Sequence, residues 1–271
     1  VVFEGKKAIG VEYIKRGQRV VCNAKKEVIL SAGSINSPQI LMRSGVGDQK
    51  DILPHGIKLI HELQGVGKNL QDHIGVVSQF AATKPITLHR SATKFRTVLA
   101  GLQYLLFGTG DAANPPTAGG AFIKSHPDKE IPDMQIHYVS IAVPDVHGRA
   151  DIPTSHGFSS IVYACRPQSR GHITLKSSDP LDAPLMFPNY LSEEQDLIDT
   201  RNGFRETRRV FMQEAFDEYR GDQLKPGLDV NIDNDDELDR WIRETGETLY
   251  HPIGTCKMGS DSLSVTNEHG Q

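Results

Sequence analysis

The sequence predicts an α/β fold of the α+β kind, in which a strand–glycine–helix portion accompanies an antiparallel sheet with flanking helices. Glu27-Val28-Ile29-Leu30 runs into Ser31-Ala32-Gly33 and then into a helical stretch. Strand-like runs at Met134–Val143, Phe158–Cys165 and His172–Lys176 follow one another without intervening helices, the order expected of an antiparallel sheet. Two amphipathic helices then close the region, from about Glu193 and from Asn234.

Taken in order, Ala8–Tyr13 and Arg19–Cys22 flank a polar turn at Gly17 and read as a hairpin. Glu27–Leu30 reads as a short strand ending at Ser31-Ala32-Gly33. The helix after it has Ser37 as its expected N-cap, Pro38 at its first position and Gly45 as its stop. A strand ending at a glycine before a helix leaves backbone N–H groups for a phosphate or ribose oxygen, or is simply a connection. Phe95, Val98, Leu99, Leu102, Leu105 and Leu106 recur at helical spacing up to Gly108. The stretch 108–120, rich in Gly and Pro, is expected to be irregular, either a substrate-contacting lid or a plain surface loop. Of the closing helices, the first should carry a Ser192/Gln195 capping box and bury Leu197, Phe204 and Phe211. The second should pair Asn234 with Glu237, bury Leu238, Trp241 and Ile242, and stop at Gly246.

At 271 residues the chain has room for one large or two ordinary domains. A formal net charge of −4 gives no basic excess for nucleic acid. No apolar run approaches the roughly 18 residues of a membrane span, and no signal peptide opens the sequence. Cys22, Cys165 and Cys256 are too few and too scattered for a disulfide framework or a zinc site, which points to a reducing compartment. The expected location is therefore cytoplasmic, or peripheral at a membrane.

The most specific stretch is His251-Pro252-Ile253-Gly254-Thr255-Cys256-Lys257-Met258-Gly259, which sets a histidine on a loop punctuated by proline and glycine. Together with Ser31-Ala32-Gly33-Ser34-Ile35-Asn36-Ser37-Pro38-Gln39-Ile40-Leu41 upstream, it resembles the glucose-methanol-choline oxidoreductases, which are FAD-dependent alcohol oxidases and dehydrogenases. That resemblance implies an incomplete FAD-binding domain portion over residues 1–75, a substrate domain over 76–245, and a return to the FAD domain over 246–271. It also implies FAD as cofactor and a small-molecule alcohol, choline-like or an uncharged primary alcohol, as substrate. The electron acceptor stays open, and no metal is expected.

Oxidising an alcohol by hydride transfer requires a base for the hydroxyl proton, and imidazole titrates near neutral pH. His251 is the candidate base, and the resemblance implies the same role. Ser31, Ala32 and Gly33 are the expected cofactor contacts. Asn69 and Asp72, within the family-like run Asn69-Leu70-Gln71-Asp72-His73, are assigned a cofactor-side structural role. Asp72 and His73 are adjacent, and neighbours on an extended strand point to opposite faces, so they are not expected to form a dyad. His137 matches a strand that carries an active-site histidine in some choline-type members, although a sheet histidine is often structural. Thr117 stands where choline-oxidising members carry a glutamate, which weakens the case for a quaternary ammonium substrate. Cys256 is read as a small buried thiol.

Other chemistries lack their motifs. The sequence has no Gly-x-Ser-x-Gly elbow, no P-loop and no His-Glu-x-x-His. Gly45-Val46-Gly47 and Gly65-Val66-Gly67 begin a dinucleotide fingerprint without completing it. Set against the family pattern, the chain is expected to be cut at both ends. An alternative reading makes it a non-catalytic remnant or binding module.

Overall fold

A computed structural model describes residues 1–91, 94–143 and 155–271. The chain packs as two units. Residues 1–72, 169–190 and 251–271 form the first, and residues 73–168 and 191–250 the second. The segment 169–190, which lies inside the span 76–245 of the sequence reading, thus clusters with the first unit.

In the first unit, β1 (Val2–Glu4), β2 (Lys7–Lys15) and β3 (Gln18–Asn23) make an antiparallel sheet whose β2–β3 turn lies at Gly17, as the sequence predicts. Glu27–Leu30 departs from expectation. It forms no strand, because no segment among the described residues pairs with it, and a ladder needs a partner for its N–H and C=O groups. Helix α1 (Gly33–Arg43) begins before its expected start, so Ser37 is not its N-cap and Pro38 is internal. The Ser37 hydroxyl instead accepts the Ala32 N–H at 3.0 Å. His172–Thr174, expected in the large sheet, pairs with Leu185–Phe187 within this unit. Met42, Ile52, Val66 and Leu175 form its core.

The second unit is built on β4 (Ile74–Ala82), β5 (Thr117–Ile123), β6 (Met134–Val139), β7 (Gly157–Ala164) and β8 (Arg220–Lys225). Between β4 and β5 lies helix α2 (Lys94–Phe107). The antiparallel order is β8-β4-β7-β6-β5, and Glu247–Thr248 also pairs with β4. Part of the stretch expected to be irregular is therefore strand, since Gly119 and Gly120 pair with Tyr138 and His137. Glycine is disfavoured in strands by entropy, but a ladder on its inner neighbour supplies the missing order.

Helices α3 (Glu194–Phe211) and α4 (Asp235–Thr245) pack within this unit. Met134, Ile136, Val162, Phe204, Leu238 and Ile242 are almost completely buried. Phe211 meets Phe80, Tyr138 and Phe158 edge-on, an aromatic arrangement favoured by ring quadrupoles. Asn234 caps α4 as expected, its side-chain oxygen accepting the Glu237 N–H at 3.2 Å. The Ser192/Gln195 box is absent. Glu193 is the N-cap of α3 but its side chain does not cap the helix, and Gln195 turns to Asp199 at 2.8 Å.

Candidate active site

His251 is exposed on a loop held by backbone and side-chain bonds within the first unit. Gln71 and Ile253 exchange a pair of backbone bonds at 3.0 and 2.8 Å, and Gly67 N–H donates to the Thr255 carbonyl at 2.9 Å. Tyr250, just before the histidine, adopts φ 59°, a left-handed conformation that costs a bulky residue energy and persists only under such bracing. Gly254 has φ 93°, and a Cβ there would lie 2.4 Å from the Asn69 carbonyl oxygen. Only glycine fits this close approach.

Four side chains complete the clamp. Asp72 accepts the His251 N–H at 2.9 Å through one carboxylate oxygen and the Tyr190 hydroxyl through the other. The Asn69 amide, at φ 60°, donates to the Gly254 carbonyl at 3.1 Å. Ser34, in the first turn of α1, donates its hydroxyl to the Pro252 carbonyl at 2.6 Å, while its own carbonyl accepts the Thr255 hydroxyl. That carbonyl is available because its usual helical donor, four residues on, is Pro38, which has no N–H. The internal proline thus leaves an acceptor facing the histidine loop. Ser34, Thr255 and Tyr190 were not singled out from the sequence. The Ser34–Pro38 spacing was visible there, but its consequence depends on α1 starting at Gly33.

Of the expected cofactor contacts, Ser31, Ala32 and Gly33 are exposed at the start of α1. No side chain caps that end. Gly33 has φ 80°, with open space where a Cβ would stand. Exposed N–H groups at a helix start suit an anionic or ribose oxygen, so these residues fit a nucleotide cofactor. A cavity of about 880 Å³ also lies within this unit, bordered by Val28, Leu30, Ser37, Leu63, Cys256 and His269. Cys256, expected as a small buried thiol, is half-buried at this cavity, and desolvation pushes its pKa up to about 11.

The residues expected to face substrate belong to the second unit. His137 on β6 stands opposite Gly120 on β5, and Thr117 stands opposite Val139, so the register puts both on one face of the sheet. The His137 Nε2 lies 2.8 Å from the Tyr163 hydroxyl, and its ring stacks on Tyr163 at 5.5 Å. His73 stacks on Tyr163 at 4.9 Å and its Nε2 lies 3.1 Å from the Cys165 carbonyl. Burial raises the Tyr163 phenol to about 12, so it stays protonated at neutral pH. Asp72 holds His251 and Tyr190, whereas His73 meets Tyr163 and the Cys165 carbonyl. Among the described residues no group of His, Cys, Asp and Glu could hold a metal.

In the first unit an uncapped helix start thus stands beside the loop histidine, and the second unit is built on an antiparallel sheet. Solved structures share the fold. A formate oxidase superposes with a TM-score of 0.84 at 23% identity, covering 93% of this chain and 48% of its own. Pyridoxine 4-oxidase from Mesorbium loti gives a TM-score of 0.80 at 23% identity, covering 98% of this chain and 47% of its own. The chain belongs to the GMC oxidoreductase family, whose N-terminal model matches residues 1–75 and whose C-terminal model matches residues 167–271. It is similar to the oxygen-dependent choline dehydrogenase of Chromohalobacter salexigens, 41% identical across all of this chain and 48% of that protein. The protein of the same name from Brucella ovis is 44% identical over 98% of this chain and 48% of its own length. The chain spans about half the length of the curated relatives it matches.

Proposed function

We propose that this chain supplies the catalytic base and the substrate-facing sheet of an FAD-dependent enzyme that oxidises the CH–OH group of a small alcohol. The observation that carries this reading is the clamp on the His251 loop by Ser34, Asn69, Asp72 and Thr255. Such bracing lowers the entropy lost when a side chain is brought into a reactive geometry. His251 accepts the hydroxyl proton at a ring nitrogen, and Asp72 fixes that residue's backbone. Asn69 and Asp72 act on the cofactor side by holding the loop. Ser31, Ala32 and Gly33 would hold FAD through backbone groups at the start of α1. When bound, FAD supplies the acceptor for the hydride that leaves the alcohol carbon. His137 and Thr117 contribute to the face that receives the substrate.

The test is His251→Ala in the flavin-loaded protein, assayed with choline and with uncharged primary alcohols. The expected result is a fall in kcat/KM of roughly 10²–10⁴-fold at unchanged flavin content, the usual contribution of a positioned base. The loss shrinks at high pH, where the alcohol needs less help in losing its proton. Near-normal activity in a fully flavin-loaded variant overturns the assignment.

Thr117 favours an uncharged alcohol over choline, because a hydroxyl offers no charge to a quaternary ammonium. Thr117→Glu is expected to raise the kcat/KM ratio of choline to an uncharged alcohol of similar size. An unchanged ratio removes Thr117 from the specificity argument.

A further inference from the structure

The second unit has a cavity of its own, bordered by Arg208 and Met212 at the end of α3, by β8, and by residues 228–232. Its volume of about 400 Å³ is enough for a small ligand. It lies away from the face that carries His137 and Thr117. His137 stands opposite Ile161 on β7, and Ile161 stands opposite Val77 on β4. Phe80, three positions further along β4, therefore points to the other face, where it lines the cavity.

Arg208 brings a half-buried guanidinium to this cavity. Its Nε donates to the Gln223 Oε1 at 2.8 Å, and the Gln223 amide donates in turn to the Pro226 carbonyl at 3.0 Å. These two bonds fix the plane of the guanidinium. Its two terminal nitrogens have no hydrogen-bond or ion-pair partner among the described residues. The neighbouring Arg220 is already committed, donating to the Phe211 carbonyl at 2.6 Å and to the Asp217 carboxylate at 2.5 Å. Desolvation lowers the pKa of Arg208, and Arg220 adds to that effect while Asp233 opposes it. A cation withdrawn from water beside a like charge is stabilised by an anion at its open edge. Asn231 supplies a further donor. Its side-chain oxygen accepts the Asp233 N–H at 3.1 Å, which leaves its amide nitrogen for another acceptor.

We propose that this cavity binds a small apolar monocarboxylate, its carboxylate on Arg208 and Asn231 and its hydrocarbon over Met212, Leu228 and Val230. The two open nitrogens of Arg208 present the planar fork that a carboxylate matches with two parallel bonds. A single charge suits the site better than two, because Asp222 borders the same cavity and repels a dianion more strongly. The apolar rim adds a reason to prefer an organic acid over an inorganic ion. Met212 and Leu228 are 41% and 90% exposed, and a hydrocarbon chain laid on them removes that surface from water. The site is separate from the alcohol-oxidising chemistry proposed above and does not depend on it.

The experiment titrates the 271-residue chain with hexanoate, hexanamide and inorganic phosphate, following the Arg208 Nε–H signal by heteronuclear NMR. Hexanoate is expected to shift that signal and to saturate in the millimolar range or below. Hexanamide, equal in shape but uncharged, should bind roughly tenfold more weakly or worse. Arg208→Lys keeps the charge without the fork and should weaken hexanoate by roughly tenfold. Arg208→Gln should reduce hexanoate to the level of hexanamide, whereas Asp222→Asn should tighten it. Lys26→Gln, at the larger cavity of the first unit, should leave binding unchanged. The contrast between acid and amide is read on the unaltered chain, so it decides the matter even where an Arg208 variant fails to fold. Equal binding of hexanoate and hexanamide overturns the proposal, as does an Arg208 signal that hexanoate leaves in place. Phosphate that binds as tightly as hexanoate also overturns it, since the site would then select charge alone.

Discussion

Pro38 cannot donate to the Ser34 carbonyl, and Thr255, 1% exposed, supplies the missing donor from the histidine loop. Thr255→Val keeps the shape but leaves that carbonyl without a hydroxyl, at an expected cost of about 1–3 kcal/mol. Thr255→Ser should retain most of the stability. Adding Pro38→Ala to Thr255→Val restores a helical N–H and should recover part of the loss. A double-mutant cycle by denaturant unfolding measures this coupling, and additive effects would show that the two residues do not share the acceptor. The cysteines give a second check at this scale. Cys22 is exposed, whereas burial raises both Cys165 and Cys256, the latter to about 11. Iodoacetamide near neutral pH should label Cys22 first, as peptide mass mapping would show, and leave Cys256 unmodified until the protein unfolds.

At the scale of elements, signals that act locally were legible and those that depend on a distant partner were not. Asn234, Glu237 and Gly246 lie within α4 or against its ends, and the cap and stop form where the sequence puts them. The start of α1 was misread because Pro38 is compatible with a first helical turn, while the contact with Thr255 that makes it useful deeper in the helix is 217 residues away, from 38 to 255. Gly119 and Gly120 looked irregular because their order comes from pairing with β6. The spacing in α2 gave the helix correctly but not the direction its stripe faces, and Arg90 and Asp111, on either side of the helix in the sequence, close the segment with an ion pair. That closure has a pH signature. Arg90 and the Ser91 hydroxyl depress Asp111 from 3.8 to about 2. A folded pKa below the unfolded one contributes stability above the unfolded value and loses it as pH falls through the folded one. The amides of α2 should therefore keep their hydrogen-exchange protection down to about pH 4 and lose it as the pH approaches 2. Asp111→Asn should weaken that protection already at neutral pH. Protection independent of pH over that range would show that the closure does not hold the helix.

For the whole molecule, the sequence carried the family through two distant motifs, and the structure brings both to one place: the start of α1 and the His251 loop meet through Ser34. The extent of the packing units was less legible, because residues 169–190 return to the first unit through short pairings such as Leu70 with Gly171. Cofactor affinity belongs to this scale, since it sums over every segment that touches the ligand. The 271 residues include no complete Gly-x-Gly-x-x-Gly turn, the element that lets backbone approach a pyrophosphate closely. What remains for FAD is one uncapped helix start, Gly33 with room beside it, and a cavity of about 880 Å³ in the same unit. A single helix N-terminus contributes roughly 0.3–1 kcal/mol toward an anion when exposed, far short of the roughly 8 kcal/mol that micromolar binding requires. The purified chain should therefore bind FAD weakly, with saturation only well above micromolar concentration. Adding the cofactor should raise the Tm little, because stabilisation by a ligand scales with the logarithm of its concentration over Kd. Flavin fluorescence titration and a thermal melt at increasing FAD measure the two quantities independently. Stoichiometric sub-micromolar binding would show instead that the α1 start and the cavity beside it form a sufficient site, and Gly33→Val should then abolish it by placing a branched side chain at a left-handed position where the backbone must stay open.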